Sequence, residues 1–132
     1  MTATKREIFV PGMGPPLSHY CDAVALGDLL FVSGILPLDD LLNLVGGDDP
    51  QAQAEQVFAR LEQVLTAEGA AYADILKVTL FLTDVNDRAA INAVRKLYFG
   101  DSRPASTLVE VSGLITPGAR LEVEAIARLP RT

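Results

Sequence analysis

A single cysteine, Cys21, among 132 residues leaves no intramolecular disulfide and no cysteine pair for a zinc site. That fits a reducing compartment, and a cytoplasmic location is the expectation. Histidine is as scarce. His19 stands alone, so no histidine-based triad can be assembled around a serine, and a His19/Cys21 metal pair would lack a third ligand. Aromatic residues make up only 6% of the chain, and no segment is long and apolar enough to predict a membrane span. The start, Met1 to Glu7, lacks the apolar run of a signal peptide. Positive charge is in deficit, with 11 Lys and Arg against 17 Asp and Glu, a formal net charge of −6. The basic residues are scattered and form no run interleaved with aromatics. The field of the whole molecule would therefore repel a phosphate backbone, and neither nucleic acid nor membrane is an expected partner. The acids Asp39, Asp40, Asp48 and Asp49 lack calcium-loop spacing and read as a solvated loop.

What is present is ordinary globular chemistry: 49% hydrophobic and 21% charged residues. The length suits one domain over residues 1–132 that can bury a core unaided. Residues 6–9 predict a short first strand, followed by a breaker-rich loop from Pro11 to Pro16. An extended pattern over Ser18 to Leu26 turns at Gly27-Asp28 into the apolar run Leu29 to Val32, a hairpin. That continuous run predicts a central strand covered on both faces. Asp49-Pro50 supplies an N-cap and a first-position proline for a helix whose stripe is Ala54, Val57, Phe58, Leu61, Val64 and Leu65, ended by Gly69. Leu76, Val78, Leu80 and Leu82 alternate with polar or aromatic neighbours in the next strand. Asp84 to Asp87 caps a second helix with the stripe Ala90, Ile91, Val94, Leu97 and Tyr98, closed by Gly100.

The last third organises the rest. Residues 102–111 and 120–127 both alternate with period two, and they predict a closing hairpin. Thr107, Val109 and Val111, with Leu121, Val123 and Ala125, make one face. Ser106, Leu108, Glu110 and Ser112, with Glu122, Glu124 and Ile126, make the other. Two helices can cover only one face of such a sheet, which gives an α+β layer structure. The mixed apolar and acidic face is expected to meet another copy of the chain, with a functional site at the seam.

Several residues taken together resemble the RidA/YjgF/YER057c/UK114 family of enamine/imine deaminase-like proteins. They are Gly27 to Gly34 followed by Pro37, Val78 to Asp84, Asn92 with Tyr98-Phe99, Arg103-Pro104-Ala105, Val109-Glu110-Val111 and Glu122 to Ala127. The resemblance runs from about Pro15 to Ala127. It implies a chorismate-mutase-like (bacillus type) mixed β-sheet with two helices on one face, a homotrimer, and small-molecule clefts between subunits, with no metal and no organic cofactor. Carried over position by position, it implies a catalytic role for Glu122, which would position the attacking water. It implies substrate-binding roles for Tyr20, Gly34, Asn92, Ser106 and Leu108.

One position departs from the pattern. The family's deaminases read Pro-Ala-Arg, the arginine gripping the substrate carboxylate, whereas this chain reads Pro104-Ala105-Ser106. The position two further on, often cysteine, is Leu108. A charged hydrogen bond of that kind contributes roughly 1.5–3 kcal/mol, so its loss would weaken binding about ten- to a hundredfold. Either another cation (Arg95, Arg103 or Arg120) enters the cleft, or the substrate lacks a carboxylate there. The resemblance therefore implies a C=N or enamine hydrolase with altered substrate range. The rivals are a non-catalytic trimeric binding module and the RNA-cleaving, endoribonuclease L-PSP-like role sometimes attached to the family, which the net charge opposes.

Overall fold

A computed structural model describes residues 3–130. Met1 and Thr2, part of the start considered above, lie outside the described residues, as do Arg131 and Thr132. Six strands form one sheet: β1 (Arg6–Ile8), β2 (Ala23–Leu26), β3 (Leu29–Ile35), β4 (Ile75–Leu82), β5 (Ala105–Glu110) and β6 (Leu121–Arg128). Their spatial order is β1-β2-β3-β6-β4-β5. Two helices, α1 (Pro50–Ala67) and α2 (Arg88–Phe99), follow β3 and β4. This is the expected mixed α+β sheet with two helices.

The first hairpin is as the sequence predicts. Leu26 pairs with Leu29 across Gly27-Asp28, and Gly27 takes φ +58°, the left-handed conformation that a two-residue turn demands. The extended segment before it is shorter than expected: only Ala23–Leu26 pairs, and Ser18 to Asp22 belong to the loop. The closing hairpin does not form. β5 runs parallel to β4, joined to it through α2, while β6 inserts between β3 and β4 and is antiparallel to both. The ten-residue connection from Val111 to Arg120 is far too long for a tight turn. It carries the chain across β4 to a slot whose inward positions suit the most buried strand. Leu121, Val123, Ala125 and Ala127 there are all 3% exposed or less.

That topology reassigns the faces. Leu80 pairs with both Leu108 and Val123, so Ser106, Leu108 and Glu110 lie on the helix side of the sheet. Phe81 pairs with both Val109 and Glu122, and Thr79 with Thr107 and Glu124. Thr107 and Val109 therefore share the bare side with the two glutamates. The strand at residues 29–35 is covered on one side only: Leu30 and Val32 are buried, while Leu29 and Phe31 stay about 40% exposed beside Ile126. The continuous apolar run thus marks a face that the single chain leaves open.

Asp49 caps α1 by accepting the Gln51 N–H, and all six residues of the expected apolar stripe are buried. In α2, Ile91 and Val94 are buried as expected, but Leu97 is 82% exposed and Phe99 takes the inward place. Behind this packing, the buried Gln53 clamps two loops. Its Nε2 donates to Gly47 O (2.6 Å) and Gly118 O (2.9 Å), and its Oε1 accepts the Arg120 N–H (2.7 Å). The start of β6, two residues before Glu122, hangs on that amide. Gln53→Ala removes three part-buried hydrogen bonds to backbone groups and is expected to lower unfolding free energy by about 1–3 kcal/mol, read from urea titration. An unchanged transition would mean the clamp is not needed.

Candidate functional site

The expected site residues fall into two groups on opposite sides of the sheet. The first group is Tyr20, Gly34 and Glu122. Register shifts between Val32 and Ile35, so a bulge sits at Ser33-Gly34 on β3, beside β6. The bulge and the missing side chain let Glu122 lie directly against the backbone: a Cβ built on Gly34 would stand 2.0 Å from Glu122 Oε2. Tyr20 reaches the same hollow from the loop before β2, its hydroxyl accepting the Leu17 N–H at 3.2 Å. Ser33 is pinned alongside by donating to Cys21 O at 2.7 Å. Tyr20, Ser33, Gly34, Ile115 and Glu122 are among the residues lining this pocket of about 450 Å³. Sequence reasoning missed Ser33 and Ile115; Ser33 was findable as the neighbour of the bulge glycine.

Glu122 has no hydrogen-bond donor among the described residues and no cation beside it. Burial, with a smaller push from Glu124, raises its carboxyl above the ordinary range. A half-buried carboxylate whose pKa is raised and which stands open to a pocket is equipped to orient a water and exchange protons with it.

The second group is Asn92, Ser106 and Leu108. Asn92 projects from α2 towards the β5 edge, where Ser106 and Leu108 stand on the helix side. Together with Leu80, Ile91, Arg88 and Arg95 they line a pocket of about 330 Å³. No residue lines both pockets, so one chain does not bring Glu122 together with Ser106 and Asn92.

The three candidate replacement cations separate cleanly. Arg120 is committed to structure: its guanidinium donates to both Asp87 oxygens (2.8 and 3.0 Å) and to Asp48 (2.9 Å), which holds it above its ordinary pKa. Arg103 is exposed between α2 and β5 and lines neither pocket. Arg95 does line the Ser106 pocket. It is half-buried with its guanidinium 5.7 Å from the Phe99 ring centroid, and burial without a counter-charge pulls its pKa down. Arg88, which sequence reasoning missed, lines the same pocket. Helical spacing from Asn92 (i−4) was the signal that would have found it.

His19 is exposed, and Cys21 donates its thiol to Ala23 O. Among the described residues no three His, Cys, Asp or Glu side chains gather as a metal-ligand group, and no helix is long and apolar enough to cross a membrane.

This placement can be set against known proteins. The family model described as Endoribonuclease L-PSP matches residues 13–129. The chain belongs to this family, the RidA/YjgF/UK114 proteins. Among RidA-family relatives, a RutC family protein of Pyrococcus horikoshii is 37% identical over 123 residues, covering 93% of this chain and 97% of that one. The 3-aminoacrylate deaminase RutC of Acinetobacter baylyi is 37% identical over 125 residues, covering 94% and 98%. The crystal structure of the yeast protein YEO7 superposes with a TM-score of 0.91 at 31% identity, covering 96% of this chain and 100% of that one. The RidA-family fold, with its β4-α2-β5 crossover and inserted last strand, is therefore the fold of this protein.

Proposed function

We propose that this RidA-family protein hydrolyses reactive enamine or imine intermediates, releasing ammonia, in clefts between subunits of a homotrimer. The observation that carries the reading is the Glu122 carboxylate seated on Gly34, uncompensated and open to a pocket beside Tyr20. An imine carbon is already electrophilic, so the site has only to hold it, place a water beside it and move a proton. Glu122 takes a proton from the water as its oxygen bonds to the carbon. Nitrogen takes up that proton to give a carbinolamine. The hydroxyl then gives its own proton to nitrogen through Glu122 as the C–N bond breaks, leaving a carbonyl compound and ammonia. An enamine enters the same route after shifting its N–H proton to carbon.

The division of the site supports an assembly of copies such as the homotrimer. Glu122 points from the bare face and Ser106 from the helix side at the β5 edge, so a bare face set against a neighbouring copy's edge would unite them. Phe31, Val109 and Ile126 would be covered by the same contact. The same face carries Glu122 and Glu124 in a chain of net charge −6, which favours a small-molecule substrate over RNA. The substrate range differs from that of the arginine-bearing deaminases because Ser106 offers no charge where they offer a clamp. The relative named as a 3-aminoacrylate deaminase makes 3-aminoacrylate one of the compounds to try.

The test is ammonia release from 2-aminoacrylate and 3-aminoacrylate with a panel of longer 2-imino acids. Faster release from the longer compounds supports the altered range. Full activity on 2-aminoacrylate would overturn the altered range, and release no faster than in buffer across the panel would leave a trimeric binding module.

A further inference from the structure

Ser106 removes a cation from the strand, but its pocket is not without positive charge. Arg88 and Arg95 lie seven residues apart on α2, with Asn92 between them on the same face, and all three line the pocket beneath Ser106. No acid lines it. Four other arginines have partners, Arg6 with Glu68, Arg120 with Asp87 and Asp48, Arg128 with Asp74, and Arg60 with the Met13 carbonyl, while Arg103 is exposed and does not line this pocket. Arg88 and Arg95 form no ion pair among the described residues, although the chain carries six more acids than bases. Arg95 is half-buried as well, held in place by the Phe99 ring rather than by a carboxylate. Two uncompensated guanidiniums around an amide, facing an acid-free pocket with a small hydroxyl on its far wall, form a receptor for an anion.

We propose that Arg88 and Arg95, with Asn92, bind the carboxylate of the substrate in place of the missing strand arginine. The cation has moved from the β5 edge to the helix wall. The volume that a side chain at position 106 would fill stays open, so the pocket takes carboxylates longer than the smallest 2-imino acids. Ser106 then admits greater length, while the helix arginines supply the charge that the strand lacks. This assignment rests on the hydrolase reading for the identity of the anion, but not for its existence.

The experiment is calorimetric titration of the full-length protein with pyruvate and 2-oxohexanoate, which have the form of 2-oxo acid products, and with inorganic phosphate. It is paired with steady-state ammonia release. The expected result is that 2-oxohexanoate binds more tightly than pyruvate, and phosphate more weakly than either. R88Q/R95Q should weaken 2-oxohexanoate at least tenfold and raise KM by a similar factor with kcat little changed, while R95K recovers part of the loss. Arg88 is exposed and should tolerate glutamine alone, so R88Q provides a second reading should the double variant fold poorly. An unchanged Kd and KM in R88Q and R88Q/R95Q, with turnover still lost in Glu122→Gln, would overturn this assignment and leave the hydrolase reading standing. Arginine-dependent binding in a protein that releases no ammonia would do the reverse. Tightest binding of phosphate would overturn the carboxylate assignment.

Discussion

Replacing Glu122 by glutamine is expected to cut ammonia release by about 10²–10⁴-fold, the usual contribution of a positioned general acid–base group. Glutamine keeps the shape that lies against Gly34 and removes only the proton chemistry, so pockets and assembly should survive. The pH–rate profile provides a second readout. Burial raises the Glu122 carboxyl, so the wild-type rate should climb through a pKa above that of a free glutamate, and this limb should vanish in the variant. Stability should move the other way. A carboxyl whose pKa is higher in the folded than in the unfolded state favours folding most fully below its unfolded value, and that stability is lost as pH rises through the folded value. Wild type therefore bears a cost at neutral pH that glutamine does not. The variant should unfold at a higher temperature at pH 7, with the difference closing below about pH 4. A variant less stable than wild type at pH 7 would show that Glu122 holds the fold together rather than serving the pocket.

Gly34→Ala is the second large effect, and it separates position from chemistry. The new Cβ would stand 2.0 Å from Oε2 and 2.9 Å from Cδ of Glu122, so the carboxylate must swing away. The atoms met are the free end of a flexible side chain, and Gly34 is not among the glycines with positive φ. The backbone accepts alanine, and the strain falls on the position of the Glu122 carboxylate. A displacement on the order of 1 Å can cost about 10²-fold in rate, so we expect a loss of that size with the melting temperature little changed. Adding Gly34→Ala to Glu122→Gln should cost almost nothing further, because both changes disable one device. Additive losses would place Gly34 in a separate role.

Most of the frame was legible in the sequence because its signals are local. The Asp49-Pro50 cap, the Gly27-Asp28 turn and the α1 stripe each act within a few residues, and the structure keeps all three. The pairing of β5 and β6 was not local. Two alternating strands in succession read as a hairpin, and only the ten residues between them argued against it. From that one misplaced pairing came the misassigned faces, and with them the placing of Ser106 and Glu122 on one face of the sheet. Leu97 fails for a different reason: helical spacing admits it to the stripe, but Phe99 reaches inward instead. At the site, Glu122 and Gly34 were readable from the family resemblance. Their contact was not, because it depends on a bulge that no residue type announces. Arg95 was readable as a candidate cation, whereas Arg88 was not singled out although it stands four residues before Asn92 on the same helix face.

Mixed-subunit complementation tests the divided site most directly. Glu122→Gln disables the half proposed to hold the catalytic carboxylate, and Ser106→Trp fills the pocket of the other half. Each homogeneous protein should be inactive. When the two are unfolded together and refolded as mixed trimers, some clefts receive an intact Glu122 from one chain and an open Ser106 pocket from its neighbour. Random assortment then predicts about one quarter of wild-type activity. Mixed trimers, verified by mass, that release ammonia no faster than the two parents would contradict the account, because the working site would then lie within one chain.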